Sequence, residues 1–457
     1  MWSFSSYPER VAAVCDSGGE ITYGELDSFA DTIRDAVPPR RLVFCLCSNT
    51  LGSLAGYTAF RSNRMVPLLL SSELNQALLD QLIQRYRPAY LWAPRESQRG
   101  YPVRLSQFGY ELLETRLMPP PLHDELALLL TTSGSTGSPN LVRLSYDNLE
   151  ANTASIVEYL GVTDRERPIT TLPMEYSYGL SIINSHLEAG ATLLLTTNGL
   201  MQKEFWTFFK ERRATSFGGV PYTYEMLARL RFSGMTLPSL KTMTQAGGKL
   251  SADLQRQFAQ LAQATGRRFF VMYGQTEATA RISYLPPERL LDKCGSIGIA
   301  IPGGELSVAD ADGELVYRGR NVALGYAVSA GDLIKGSENG GVLATGDIGR
   351  RDADGYFYIS GRKKRFIKIF GNRVNLDEVE RLIQGAFPDL GVACAGSDDH
   401  MAIFLTGNHE AGEVKRFISE KTGLNPAAFA VTLVPAIPRN DAGKTLYAQL
   451  EAVPCGR

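Results

Sequence analysis

Histidine is scarce in this chain, with 4 residues in 457, and cysteine is nearly as rare, with 6. Cys15, Cys45, Cys47, Cys294, Cys394 and Cys455 are too few for a disulfide scaffold. No Cys/His group has the spacing of zinc ligands, which excludes a structural zinc module. An excess of one charge is also missing, since 47 Lys+Arg against 48 Asp+Glu leave a formal charge of −1. A general nucleic-acid binder carries a basic excess or patch, so that class is set aside. Long apolar runs are absent. Stretches such as Met65–Leu70 fall far short of the roughly 20 residues that cross a bilayer. Met1-Trp2-Ser3-Phe4-Ser5-Ser6 shows no basic segment followed by an apolar core, so no secretory signal is expected. What remains is 44% hydrophobic and 21% charged, the balance of a globular protein. At about 150 residues per domain the length implies two or three domains. The expectation is a reduced, cytoplasmic, enzyme-sized protein.

Short apolar runs alternate with helical patterns along most of the chain. Arg41–Leu46 predicts a strand, Ser53–Arg61 a helix, Met65–Leu70 a strand and Asn75–Arg85 a helix, with strand character again at Ala89–Trp92. The rhythm returns as strand Leu126–Thr132, helix Asp147–Tyr159, strand Ile169–Leu172, helix Leu180–Leu187 and strand Thr192–Leu195. Strand Arg268–Tyr273 follows, then a Gly- and Asp-rich strand-and-turn region to Gly361. This pattern predicts an α/β fold, a large N-terminal domain of sheets flanked by helices. Composition shifts at Gly361-Arg362-Lys363-Lys364-Arg365. Beyond it, Asn375 reads as an N-cap with Glu378 reaching back, and Leu376, Val379, Leu382 and Ile383 share one face. Strand Ala402–Leu405, helix Gly412–Lys421 and strand Ala430–Val434 complete a small α+β domain. The division is therefore 1–361 and 362–457, with the cationic run as hinge.

The sharpest motif is Thr131-Thr132-Ser133-Gly134-Ser135-Thr136-Gly137-Ser138-Pro139, after an apolar strand. Gly134 and Gly137 permit tight turns, and the hydroxyls of Thr132, Ser133, Ser135 and Thr136 join backbone N–H groups as donors. Such a loop suits a polyphosphate. Tyr273-Gly274-Gln275-Thr276-Glu277 follows the Arg268–Met272 strand run, where ligands of open α/β sheets bind. There Tyr273 can stack on a purine, Thr276 can bond a phosphate, and Glu277 offers a hard oxygen to Mg²⁺. Thr345-Gly346-Asp347 puts a carboxylate on a turn, where it can accept from both ribose hydroxyls. Arg362 closes a strand, and Lys444 ends Pro438-Arg439-Asn440-Asp441-Ala442-Gly443-Lys444.

In this order, these five motifs resemble the adenylate-forming superfamily of acyl-CoA synthetases, non-ribosomal peptide synthetase adenylation domains and beetle luciferases. Ile21-Thr22-Tyr23-Gly24-Glu25-Leu26 resembles that family's early helix start. The resemblance spans nearly the whole chain. It implies a large domain with a mobile C-terminal lid, and a reaction of a carboxylate with ATP giving acyl-adenylate and pyrophosphate. Transfer to the thiol of CoA or a carrier-protein phosphopantetheine follows.

The resemblance places the phosphate loop at Thr132, Ser133, Gly134, Ser135, Thr136 and Gly137, and the Mg²⁺ carboxylate at Glu277 beside Thr276. Adenine falls to Tyr273, Gly274, Gln275 and the Gly247-Gly248 turn, and ribose to Asp347 and Arg362. Lys444 matches the lysine that bridges carboxylate and α-phosphate, Lys364 the hinge position, and Gly371 the loop lining the thiol tunnel. Lys444, Thr276 and Glu277 are the expected catalytic set. A preorganised donor facing developing phosphoryl charge is typically worth about 3–4 kcal/mol. The carboxylate nucleophile is already ionised, so His123, His186, His400 and His409 need no catalytic role.

One departure is Asn140, where the family's phosphate loop carries lysine; Lys249 and Arg143 are the candidates to compensate. The acyl pocket is expected from Tyr176, Tyr178, Gly218 and Gly219. Amino-acid-activating members use an Asp for the α-ammonium, and its place falls at Ser177 or Tyr176 here. Neither is acidic, and strand alternation would turn Glu175 away if Met174 and Tyr176 face the pocket. A neutral-tailed fatty or aryl acid is expected. The alternatives are amino-acid activation through Glu175, a luciferase-like oxidoreductase, and a non-catalytic nucleotide-binding relative.

Overall fold

The computed structural model describes residues 6–97, 100–131, 140–310, 312–369, 372–397, 400–407, 410–422, 424–440 and 445–451. The phosphate-loop residues Thr132–Gly137, Gly371 and Lys444 lie outside them. Described residues 6–131, 140–306 and 317–343 make one compact unit, and 307–316 with 344–451 make a second. The proposed boundary at Gly361/Arg362 falls inside this second unit.

Two large sheets build the first unit. One has eight strands, with Leu126–Thr131, Val66–Ser71, Leu42–Cys47 and Tyr90–Pro94 parallel at its centre. Every residue of Leu42–Cys47 is buried, as both faces of a parallel strand must be. That explains why such strands read as continuous apolar runs rather than alternating ones. The other sheet has nine strands, and Pro168–Ile169, Ser216–Gly219, Thr242–Gln245 and Arg268–Tyr273 run parallel in that spatial order. One core joins residues of both sheets, Ala13 and Leu193 from one and Cys45 and Leu128 from the other, around helices Tyr23–Ala36, Leu51–Ser62 and Ser177–Glu188. The first of these starts as expected: Thr22 accepts from Glu25 N and Glu25 reaches back, a complete capping box. Among the described residues no helix is long and apolar enough to cross a membrane.

One region differs from the sequence expectation. The strand ends at Ile169, not Leu172, and the helix begins at Ser177, not Leu180. Between them the chain doubles back so tightly that a Cβ at Gly179 would stand 2.2 Å from the Pro173 carbonyl oxygen. Met174 and Glu175 are therefore in a turn, and strand alternation does not decide where Glu175 points.

In the second unit, Val342–Arg351 pairs antiparallel with Phe357–Arg362. Helix Leu376–Ala386 is capped by Asn375, which accepts from Asp377 N across 2.9 Å. The expected return bond from Glu378 is not the one made. Asp377 is used instead, accepting from Arg362 N at 3.0 Å and Arg365 Nε at 2.5 Å. Strands Gly391–Ser397, His400–Thr406 and Phe429–Leu433 form a three-stranded sheet with helix Ala411–Thr422.

Candidate active site

Three parallel strands end side by side, and their carboxyl ends carry nine of the expected residues. Ser216–Gly219 ends on Gly219, Thr242–Gln245 leads into Gly247-Gly248, and Arg268–Tyr273 leads into Gly274–Glu277. This is the edge where open α/β sheets hold ligands. Gly247 adopts φ +80, and a Cβ there would lie 2.5 Å from the Tyr176 hydroxyl, so both backbone and space require glycine. The buried Gln245 holds this turn by donating to Gly248 O across 2.9 Å. Gly274 admits no side chain, since a Cβ would stand 1.7 Å from the Ala280 carbonyl.

The turn after Tyr273 is fixed on several sides. Gln275 donates to the Tyr273 hydroxyl at 3.0 Å, and Thr276 shares a hydrogen bond with the Ser177 hydroxyl at 3.1 Å. Ser177 is thus buried, on the first turn of its helix. Glu277 Oε1 accepts from the Tyr326 hydroxyl at 2.6 Å. Burial, and next the Glu277 charge, push the Tyr326 phenol well above its ordinary value, so it remains a donor. Thr279 takes φ 65 and ψ −48, and Ala280 N donates to Ala278 O at 2.7 Å, which closes a strained γ-turn on a β-branched residue.

Tyr176 and Tyr178 flank the same region with ring centroids 6.3 Å apart. Tyr178 bonds Thr244 at 2.8 Å, and a Cβ at Gly218 would lie 3.0 Å from its hydroxyl oxygen. Glu175 is half-buried. Among the described residues no cluster of three or more His, Cys, Asp or Glu suits a metal. A Mg²⁺ carried by phosphates needs only one or two carboxylates, and Glu277, tied through one oxygen, meets that requirement.

In the second unit Asp347 and Arg362 are direct cross-strand partners, with Arg362 Nε 3.5 Å from Asp347 Oδ1. Asp347 is buried, and Gly346 before it has φ +74 with its N–H on Glu314. Two cations of the hinge run are anchored on opposite sides of Lys364. Lys363 pairs with Asp312 at 2.7 Å and Glu314 at 2.8 Å, and Arg365 with Asp377 and Glu380 at 2.5 and 2.6 Å.

Arg143 cannot stand in for the absent phosphate-loop lysine. It is fully buried, paired with Glu338, and donates to the carbonyls of Tyr326, Lys335 and Gly336. Lys249 is exposed just past the Gly247-Gly248 turn. Sequence reasoning missed Tyr326, Asn321 and Arg281. Gly325-Tyr326 carried the only available signal, a glycine beside an aromatic residue.

The AMP-binding enzyme family matches residues 2–327, most of the chain. The protein belongs to that family. A 2-succinylbenzoate–CoA ligase of Listeria monocytogenes serotype 4b (strain F2365) is 25% identical over 423 residues, 88% of this chain and 85% of that one. An oxalate–CoA ligase of Arabidopsis thaliana is 30% identical over 291 residues, 60% of this chain and 56% of that one. The fold matches o-succinylbenzoate CoA synthetase (MenE) of Bacillus subtilis, solved with its acyl-adenylate intermediate. The TM-score is 0.79 at 20% identity, over 98% of this chain and 97% of that one.

Proposed function

We propose that this AMP-binding enzyme activates an aliphatic or aryl carboxylic acid with ATP and passes the acyl group to CoA. The carrying observation is that Tyr176 and Ser177 touch both nucleotide turns, Gly247 through the Tyr176 hydroxyl and Thr276 through Ser177. This supports reading the acyl-pocket segment and the nucleotide turns as parts of one site. In the first step a carboxylate oxygen attacks the α-phosphorus, a C–O–P link forms, and the bond to the β-phosphate breaks with loss of pyrophosphate. In the second, the thiol attacks the acyl carbon and AMP leaves.

Tyr273 and the Gly247-Gly248 turn take the adenine, Asp347 and Arg362 the ribose, and Thr132–Gly137 the phosphates. Thr276 and Lys444 face the α-phosphate, where they offset the repulsion between two anions. Glu277 would hold Mg²⁺, which when bound neutralises phosphate oxygens. Lys364 is the pivot that brings Gly371 to the thiol path after pyrophosphate leaves. The two CoA ligases among the relatives favour CoA over a carrier-protein phosphopantetheine. ATP, CoA and five free cysteines among the described residues fit a cytoplasmic enzyme.

Amino-acid activation is disfavoured because neither Tyr176 nor Ser177 is acidic and Ser177 bonds Thr276. Acid-dependent exchange of pyrophosphate into ATP, measured over a panel of acids and followed by CoA, tests the whole reading. Exchange with an acid and an acyl-CoA product are expected. An amino acid ranking first in kcat/KM, with activity abolished in Glu175→Gln, would reverse the substrate assignment.

A further inference from the structure

A buried arginine stands at the wall of the acyl pocket without an acid to neutralise it. Arg281 is 2% exposed, and its guanidinium carbon lies 4.1 Å from the Tyr178 ring centroid. Its Nε has no hydrogen-bond partner, and no ion pair to it is made among the described residues. The contact with the Tyr178 face and a hydrogen bond to the Tyr159 hydroxyl offset only part of the cost of taking a guanidinium out of water.

The same arginine lines a cavity of about 30 Å³ together with Ser216, Gly218, Thr244, His186 and Glu166. Gly218 is an expected acyl-pocket residue, and Thr244 holds Tyr178. The Ser216 hydroxyl is a second buried polar group without a partner on this wall. Glu166 is the acid of the lining, and it accepts from the Thr215 hydroxyl. Arg268 lines the cavity too and is used structurally, donating to Leu160 O at 2.7 Å and Thr242 Oγ1 at 2.9 Å. Burial lowers the His186 pKa, which keeps that ring neutral. Two guanidiniums against one carboxylate leave the lining one positive charge in excess.

We propose that the acid activated here carries a second carboxylate, and that Arg281 with the Ser216 hydroxyl receives it in this cavity. A group of carboxylate size fits the volume, since about 10–15 Å³ already holds one water. The excess charge also disfavours an α-ammonium in the same place. This replaces the expectation of an uncharged tail, and it rests on the acid-activating function proposed above.

The test compares matched acids, hexanoate with adipate and benzoate with terephthalate, by pyrophosphate exchange in the wild-type enzyme, Arg281→Met and Arg281→Lys. AMP binding by each variant reports that it is folded. For the better-fitting pair, the wild type should favour the diacid in kcat/KM by at least about 10²-fold, since a site built around a buried polar group rejects the analogue lacking its partner. In Arg281→Met that ratio should fall to about one or below, and Arg281→Lys should keep the preference with a raised KM for the diacid. A wild-type preference for monoacids overturns the proposal. So does an Arg281→Met variant that loses activity equally on both members of a pair, which is what a purely structural arginine would give. Exchange with no acid at all overturns the proposed function itself, whereas exchange confined to monoacids overturns only this inference.

Discussion

The Tyr326 hydroxyl donates to Glu277 Oε1 across 2.6 Å, although the two residues lie 49 positions apart. The bond fixes one carboxylate oxygen and leaves the other for the Mg²⁺ that Glu277 is proposed to hold. A hydrogen bond to a charged group is worth about 1.5–3 kcal/mol, or at least tenfold in an affinity it controls. Tyr326→Phe is therefore expected to raise the Mg²⁺ concentration for half-maximal exchange by about tenfold, with kcat at saturating Mg²⁺ less affected. A Mg²⁺ titration checks this. An unchanged midpoint would mean that Glu277 is oriented without Tyr326.

Strands buried on both faces were legible because their apolar runs are unbroken. Arg268–Tyr273 has the ends expected of it, and Leu42–Cys47 is displaced by one residue. The Gly247 and Gly274 turns were legible because glycines mark them, each where a Cβ would collide with a neighbour. Arg281 was not, because in sequence it is one cation in a polar stretch, and its burial comes from Tyr178 on a distant helix. The turn at Met174 and Glu175 was missed because its cause, Gly179 against Pro173, is a contact rather than a periodicity. Long-range polar bonds such as that of Tyr326 leave no local trace.

The turn that carries Glu277 is held by a buried asparagine. Asn321 Nδ2 donates to Ala278 O at 2.9 Å and Arg281 O at 2.8 Å, while its Oδ1 accepts from the Tyr317 hydroxyl at 2.8 Å. Asn321→Ala leaves both carbonyls and the phenol without these partners and should destabilise the enzyme by about 2–4 kcal/mol, read by denaturant unfolding. Thr279→Gly should cost less. It relieves backbone strain of about 1–3 kcal/mol, against the lost bond from the Thr279 hydroxyl to Asn321 O at 2.7 Å, worth about 1 kcal/mol, and a glycine entropy cost of about 0.4–1 kcal/mol. Stability should change little while exchange activity falls as the turn beside Glu277 relaxes. Equal activity in Thr279→Gly would show that the strain has no role at the site.

Asp332 supplies a pH dependence at the acid end. Its carboxylate takes Lys335 Nζ at 2.7 Å and the N–H groups of Val328 and Ser329, each at 2.9 Å. The bond from Lys335, helped by these N–H groups, pulls its pKa from 3.8 to about 2. A carboxyl with a folded pKa below its unfolded one stabilises the fold above the unfolded value and loses that contribution as the pH falls through the folded one. Stability should therefore drop between about pH 4 and pH 2. In Asp332→Asn the part of that drop due to this group should vanish, as unfolding at several pH values would show. Parallel curves for wild type and variant would rule Asp332 out as its source.

The two half-reactions should separate at two lysines. Lys363 is anchored to Asp312 and Glu314, and Arg365 to Asp377 and Glu380, so a torsional change between them is concentrated at Lys364. Lys364→Pro restricts φ at that point. Adenylate formation should persist while transfer from a pre-made acyl-adenylate to CoA slows. Lys444→Ala should give the reverse pattern. With Lys444 in its proposed role at the α-phosphate, acid-dependent exchange should fall by at least about 10²-fold with thiol transfer retained. Opposite effects in the two variants are the outcome expected if the two steps use different residues of one site. Equal losses of both steps in Lys364→Pro would point to misfolding. Normal exchange in Lys444→Ala would remove that residue from the first step.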